Sequence, residues 1–140
     1  MSNHNAAGGQ LIEYVTVMIG GQLFGLQISR VQDVFVPDRL TRGRIVTTID
    51  MRRRLGLPPR DDNKPSMAVG IDLKGESYGL LIDTVGEVMK LGETTLEPNP
   101  VNLDPRLARV SGGVHRLDGQ LMVILDVDYV LNGSAETLAA

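Results

Sequence analysis

The chain has 140 residues, 42% of them hydrophobic, which is enough for one real core; with 2 Phe, 3 Tyr and no Trp, that core is aliphatic. A formal net charge of -3 offers no basic face to nucleic acid or to an acidic membrane, and the absence of cysteine removes disulfides and thiolate chemistry. No apolar run approaches the roughly 18 residues of a spanning helix, and the opening MSNHNAAGGQ lacks a signal-peptide core, so the expectation is a cytoplasmic domain without membrane insertion.

Residues 1–12 read as a flexible N-terminus. From Tyr14 the pattern has period two: Val15, Val17 and Ile19 share one face, Tyr14, Thr16 and Met18 the other, which predicts a strand. Gly20-Gly21 supplies the positive φ of a hairpin, and Phe24, Leu26 and Ile28 line the inner face of the return strand. Gly25 between them leaves room for close approach. A corner at Ser29-Arg30 leads to a third strand, Val31 to Val36, ended by Pro37. Ile45 to Ile49 is the fourth, and Asp50 is placed to cap a helical turn from Met51 to Leu55, stopped by Gly56. Arg52, Arg53 and Arg54 read as a solvated basic face, or else as a docking patch for an acidic partner.

The proline- and charge-rich stretch 58–65 is the best linker. Beyond it, Met67 to Leu73 alternates, Lys74-Gly75-Glu76 turns, Tyr78 to Ile82 returns, and Val85 to Leu91 is a third strand. Asp104-Pro105 is an N-cap followed by a first-position proline, predicting a turn of helix to Arg109. Val110 to Leu117 and Gln120 to Val127 flank the hairpin dipeptide Asp118-Gly119, Asp128 to Leu131 closes the fold, and 134–140 is a weakly ordered tail.

One stretch occurs twice. Phe24-Gly-Leu-Gln-Ile-Ser-Arg-Val-Gln-Asp-Val34 matches Tyr78-Gly-Leu-Leu-Ile-Asp-Thr-Val-Gly-Glu-Val88 at a constant offset of 54. Gly43-Arg-Ile-Val-Thr-Thr-Ile-Asp50 matches Gly119-Gln-Leu-Met-Val-Ile-Leu-Asp126 at an offset of 76, so the first copy is shorter by about 22 residues between its matched parts. The repeat predicts an all-β fold of two similar units, a first β-barrel subdomain over 13–57 and a second over 66–133. Five short strands in the second unit favour a small closed barrel. The first has only four, lacking a counterpart to Val110 to Leu117, and an incomplete barrel presents an edge open to strand addition or swapping between chains.

Catalytic chemistry is hard to assemble. His4 and His115 are far apart, His115 beside Arg116 reads as a rim residue, and no cluster offers metal ligands. Asp126 and Asp128 share a strand face if the strand runs through them; a cation-binding or small-molecule-binding barrel is the reading they allow, against Asp126 acting as a cap. No serine sits in a Gly-x-Ser-x-Gly elbow. A binding module is favoured over an enzyme, with no cofactor.

The pair of strands ending at Ser29-Arg-Val-Gln-Asp-Val34, with Arg42-Gly43-Arg-Ile-Val, Ile49-Asp-Met-Arg52, Leu55-Gly56 and Gly79-Leu-Leu-Ile-Asp83, resembles the CheW family of chemotaxis coupling proteins from about Tyr14 to Gly133. The resemblance implies two five-stranded β-barrels with a pseudo-two-fold relation. It implies a non-catalytic adaptor that couples the cytoplasmic tip of transmembrane chemoreceptors to the regulatory domain of the histidine kinase CheA. Carried over position by position, it implies partner contacts at Val31, Asp33, Arg42, Gly43, Ser66, Met67 and Val88. It also implies a strand before Arg42-Gly43 that this chain lacks. Homodimerisation through the unpaired edge, which makes the chain a variant of the family, is the expectation that follows.

Overall fold

The structure, a computed structural model, describes residues 10–37, 47–61, 64 and 66–132. Its strands are β1 (Leu11–Ile19), β2 (Gln22–Gln27), β3 (Asp33–Phe35), β4 (Thr47–Asp50), β5 (Met67–Leu73), β6 (Glu76–Ile82), β7 (Thr84–Gly92), β8 (Ser111–Leu117) and β9 (Gln120–Leu125). Among the described residues helical structure is confined, besides Pro37, to short pieces: α1 (Met51–Arg54), α2 (Pro105–Val110), 3-10 turns at Ile28–Arg30 and Glu93–Thr95, and a closing turn over 127–132. The all-β reading holds.

Hairpins form where turn chemistry demands them. Gly20 and Gly21 at φ 58° and 83° join β1 to β2. Lys74 and Gly75 at 53° and 82° join β5 to β6, the lysine being the one non-glycine among the described residues in the left-handed region. β1 starts earlier than expected: Leu11 and Ile12 already pair with Gly92 and Leu91, so the N-terminal lead-in is shorter than twelve residues. The 58–65 linker contributes no helix or strand among its described residues, and 134–140 lies outside them.

The strands form two sheets, ordered β7-β1-β2-β9-β8 and β3-β5-β6-β4. Each mixes strands from both sides of the linker, which corrects the division into one unit over 13–57 and another over 66–133. The reason lies at two corners. After β2 the 3-10 turn Ile28–Arg30 carries the chain out of its sheet, and β3 pairs with β5; after β6 the bend at Asp83 does the same, and β7 pairs with β1. Each hairpin keeps its sheet and sends its third strand to the other.

The repeat survives this exchange residue for residue. Phe24 and Gly25 pair with Val123 and Ile124 in a parallel ladder; their counterparts Tyr78 and Gly79 pair with Thr47 and Thr48, also parallel. Val15 lies opposite Leu26 and Val88, as Val69 lies opposite Leu80 and Val34. The five-stranded sheet thus maps onto the four-stranded one, with β8 unmatched among the described residues. Its counterpart position lies beside β4, next to residues 38–46, which are outside the described residues. In the five-stranded sheet, a bridge between Glu97 and Val114 also ties the chain leaving β7 to β8.

One aliphatic core joins both sheets: Val15, Val17, Phe24, Leu26, Val123 and Leu125 from one, Val69, Ile71, Leu80 and Ile82 from the other, with Met51, Val130 and Leu131 closing its ends. A smaller cluster of Tyr14, Met122 and Ile124 lies on the opposite face of the first sheet. Tyr14 and Thr16 are therefore buried as well, on the face that alternation alone would leave to solvent. Gly25 belongs there for lack of space, since a Cβ would stand 2.8 Å from Met122 Cε.

Candidate partner-binding surface

The β3–β5 ladder gathers most of the candidate residues. Asp33 lies opposite Gly70, where the missing side chain makes room for its carboxylate; any Cβ there would collide with it. Gln32 holds the approach to this ladder twice, its amide donating to the Gly70 carbonyl at 2.7 Å and its side chain to Asp72 at 2.8 Å. Val31 sits just before β3, half-buried against the main core. Ser66 and Met67 open β5, with Met67 opposite Ile82 and also packed on the core. Four of the seven positions, Val31, Asp33, Ser66 and Met67, therefore lie along one margin of the four-stranded sheet. Val88 does not join them: it is on β7, at the edge of the other sheet, opposite Val15, and is 47% exposed. Arg42 and Gly43 lie outside the described residues.

The repeat relates these two edges. β3 and β7 occupy the same position in their sheets, and Val34 is the counterpart of Val88. Val34 is also an exposed apolar side chain. The sequence offered a signal for it, because the repeat pairs Val34 with Val88, the position that the family resemblance singles out.

The polar groups that invited catalytic readings are otherwise engaged. The strand ends at Leu125, so Asp126 and Asp128 do not share a strand face. Asp126 accepts from the Tyr129 amide at 3.1 Å and caps the closing turn, while Asp128 pairs with Arg30 at 2.8 Å. Asp50 caps α1 in the same manner, accepting from the Arg52 and Arg53 amides. Among the described residues no group of three metal-ligating side chains comes together. A cleft of about 240 Å3 beside Asp126, lined by Ile12, Tyr14, Arg30, Leu96 and Val127, is the space nearest to the small-molecule reading.

The basic run divides. Arg52 is largely covered and forks onto Asp83, while Arg53 is exposed and Arg54 half-buried. Asp83 also accepts from the Gly20 amide at 2.9 Å, and the Arg52 guanidinium holds its carboxyl below the usual carboxylate range. His115 is buried, which corrects the rim assignment. Its ring meets Tyr14 edge-on at 5.5 Å, its Nδ1 is 3.2 Å from the Thr95 hydroxyl, and its Nε2 has no hydrogen-bond partner. Burial pushes its pKa down.

What the fold presents is a pair of related sheets with apolar side chains exposed at matching edges. A sequence model of the CheW-like domain matches residues 13–135, and the chain belongs to that family. It is 28% identical over 90 residues to the chemotaxis protein CheW of Thermotoga maritima, a match covering 64% of this chain and 58% of that one. With the Helicobacter pylori chemotaxis protein CheW it shares 20% identity over 137 residues, covering 87% of this chain and 82% of the relative. The chain thus spans less than two thirds of the Thermotoga relative. Among solved structures, the scaffolding protein TtCheW of Thermoanaerobacter tengcongensis has the same fold, with a TM-score of 0.68, 24% identity, and coverage of 85% of this chain and 91% of that one.

Proposed function

We propose that this protein is a non-catalytic chemotaxis adaptor of the cytoplasm, coupling the tip of methyl-accepting chemoreceptors to the regulatory domain of a CheA-type histidine kinase. The observation that carries the reading is the family match over residues 13–135. The geometry supports it in detail. Val88 offers exposed apolar area to the apolar face of a receptor helix, and half-buried Met67 and Val31 offer a deformable floor at the second margin. Asp33, exposed above Gly70, and Ser66 contribute polar contacts, and Arg42 and Gly43, outside the described residues, complete the proposed set, the arginine being a cation able to fork onto a carboxylate.

A titration of the labelled regulatory domain of a CheA-type kinase with this protein tests the reading. Saturable one-to-one binding is the expected result. A folded protein that leaves the label unperturbed to high concentration contradicts it.

A further inference from the structure

β7 does not run evenly beside β1. Thr84 and Val85 face Met18 and Val17, but the next pair is Val88 with Val15, so Gly86 and Glu87 both stand against Thr16. This is a β-bulge, one residue in excess on the edge strand. Even pairing would set Glu87 against Val15 and Val88 against Tyr14. The extra residue reverses the side taken by everything beyond it. Val88 thereby joins Val85, Val15 and Val17 on the main-core side of the sheet, at its exposed rim, while Met89 and Leu91 fall opposite Tyr14 and Ile12 on the other side.

Thr16 holds the bulge. Its side chain is buried, and its hydroxyl donates at 2.7 Å to the carbonyl of Glu87, the residue before Val88. Gly86 makes this possible, since a Cβ there would stand 2.5 Å from the hydroxyl oxygen. The other edge repeats the device. An offset of 54 takes Thr16 to Gly70, and Gln32 and Asp33 to Gly86 and Glu87. The Gln32 amide donates to the Gly70 carbonyl while Asp33 is the ladder partner of Gly70, so two residues again meet one, and Val34 follows as Val88 does. There the glycine is on the inner strand and makes room for Asp33. Each edge carries a bulge, a glycine that lets it close, and one exposed valine just past it.

We propose that Thr16 is a positioning residue for partner binding: through the Glu87 carbonyl it fixes the bulge that presents Val88 to the apolar face of a receptor helix. This role rests on the adaptor reading. Burying a hydroxyl is costly unless it is bonded, and here the bond is made at the one irregular step of the ladder, where regular pairing constrains the backbone least. Holding the residue before Val88 lowers the ordering cost of docking, because a side chain already in place loses less freedom on binding.

The test uses the full chain. Thr16→Val keeps the shape and removes the hydroxyl. Gly86→Ala leaves Thr16 in place and drives its hydroxyl away from Glu87. Thr16→Ser keeps the donor. Each is titrated with the soluble cytoplasmic tip of a methyl-accepting chemoreceptor and, separately, with the regulatory domain of a CheA-type kinase. Thr16→Val and Gly86→Ala are each expected to bind the tip about fivefold more weakly than the native chain. The double variant should bind no more weakly than either alone, since both remove one hydrogen bond. Thr16→Ser should stay within about twofold of native. Kinase affinity is expected to be unchanged throughout, which a merely structural loss would not allow. If Gly86→Ala fails to fold, Thr16→Val against Thr16→Ser decides. Variants that lose both affinities alike, or neither, overturn the proposal and leave the adaptor reading standing, as does a Thr16→Ser chain as weak as Thr16→Val. A native chain that binds no receptor tip overturns the adaptor reading and this role with it.

Discussion

Arg52 and Asp83 face each other as a fork on a fork, Nε to Oδ1 and Nη2 to Oδ2, both at 2.9 Å. The same guanidinium donates to the Pro58 carbonyl, and the same carboxylate accepts from the Gly20 amide. One ion pair therefore ties α1, the linker, the β1–β2 turn and the corner where the chain changes sheets. The repeat has an echo of it. An offset of 76 takes Arg52 to Asp128, and an offset of 54 takes Ser29 to Asp83. At that second corner Arg30, next to Ser29, pairs with Asp128 at 2.8 Å. Both corners carry an ion pair, with the charges reversed.

The two pairs differ in burial and should differ in weight. Arg52 and Asp83 expose 22% and 14% of their side chains, against 30% and 60% for Arg30 and Asp128. Arg52→Ala leaves a partly buried carboxylate without its main partner and is expected to cost about 2–3 kcal/mol, somewhat below the loss at a fully buried pair. Arg30→Ala is expected to cost no more than about 0.5 kcal/mol. Urea denaturation of both variants checks the ordering.

The Asp83 pair also sets an acid limit. Its folded pKa is lowered from the model-compound value of 3.8, chiefly by the hydrogen bonds from Arg52. Its contribution is therefore full above the unfolded value and is lost as pH falls through the lower folded value. Stability measured from pH 5 down toward pH 2 should drop more steeply in the native chain than in Asp83→Asn, which begins from a lower plateau.

His115 acts in a different pH window. Burial lowers its pKa from 6.5, so the neutral ring is the folded form and the unfolded chain takes up a proton first. Stability is expected to decline as pH falls below about 6.5, until the folded ring titrates too. His115→Phe keeps the contact with Tyr14 and loses only the Thr95 hydrogen bond. Its stability between pH 7 and pH 5 should be flatter than that of the native chain.

The caps give a matched pair. Asp50 accepts from Arg53 N at the start of α1, and Asp126 accepts from Tyr129 N at the equivalent place in the closing turn. Asp50→Ala and Asp126→Ala should each cost about 1 kcal/mol. Asp126→Ala should leave partner binding unchanged, which separates a capping aspartate from a ligand-binding one.

Much of this fold was legible in the sequence because its signals are local. The period-two runs at Val15–Ile19 and Met67–Leu73, the glycine turns, and the Asp50 and Asp104 caps each rest on a few neighbouring residues, and each formed as expected. The exchange of strands between sheets was not legible, because it depends on which edges meet after the corners at Ser29 and Asp83. Nor was the Arg52–Asp83 clasp, whose partners are 31 residues apart and whose arginine lay in a run that reads as solvated. His115 looked like a surface residue beside Arg116; the chain from Thr95 to Glu97 covers it. Of the candidate contacts, Val31, Asp33, Ser66 and Met67 are spread along the β3–β5 side of one sheet. Val88 belongs to the matching edge of the other sheet, and Val34 was overlooked although the repeat pairs it with Val88.

Val88→Asp is the sharpest probe of that surface. It places a charge on an exposed strand position outside the core, so stability should change by no more than about 0.5 kcal/mol. If Val88 contacts a receptor helix, receptor-tip binding should weaken by more than tenfold while kinase binding is kept.

The adaptor account stands or falls on simultaneous engagement of both partners. Receptor tips displayed on vesicles are sedimented with a CheA-type kinase, with and without this protein. The account predicts that the kinase pellets with the vesicles only when the protein is present, with the protein in the pellet beside it. Kinase that stays in the supernatant while the folded protein binds one partner alone, or neither, contradicts it.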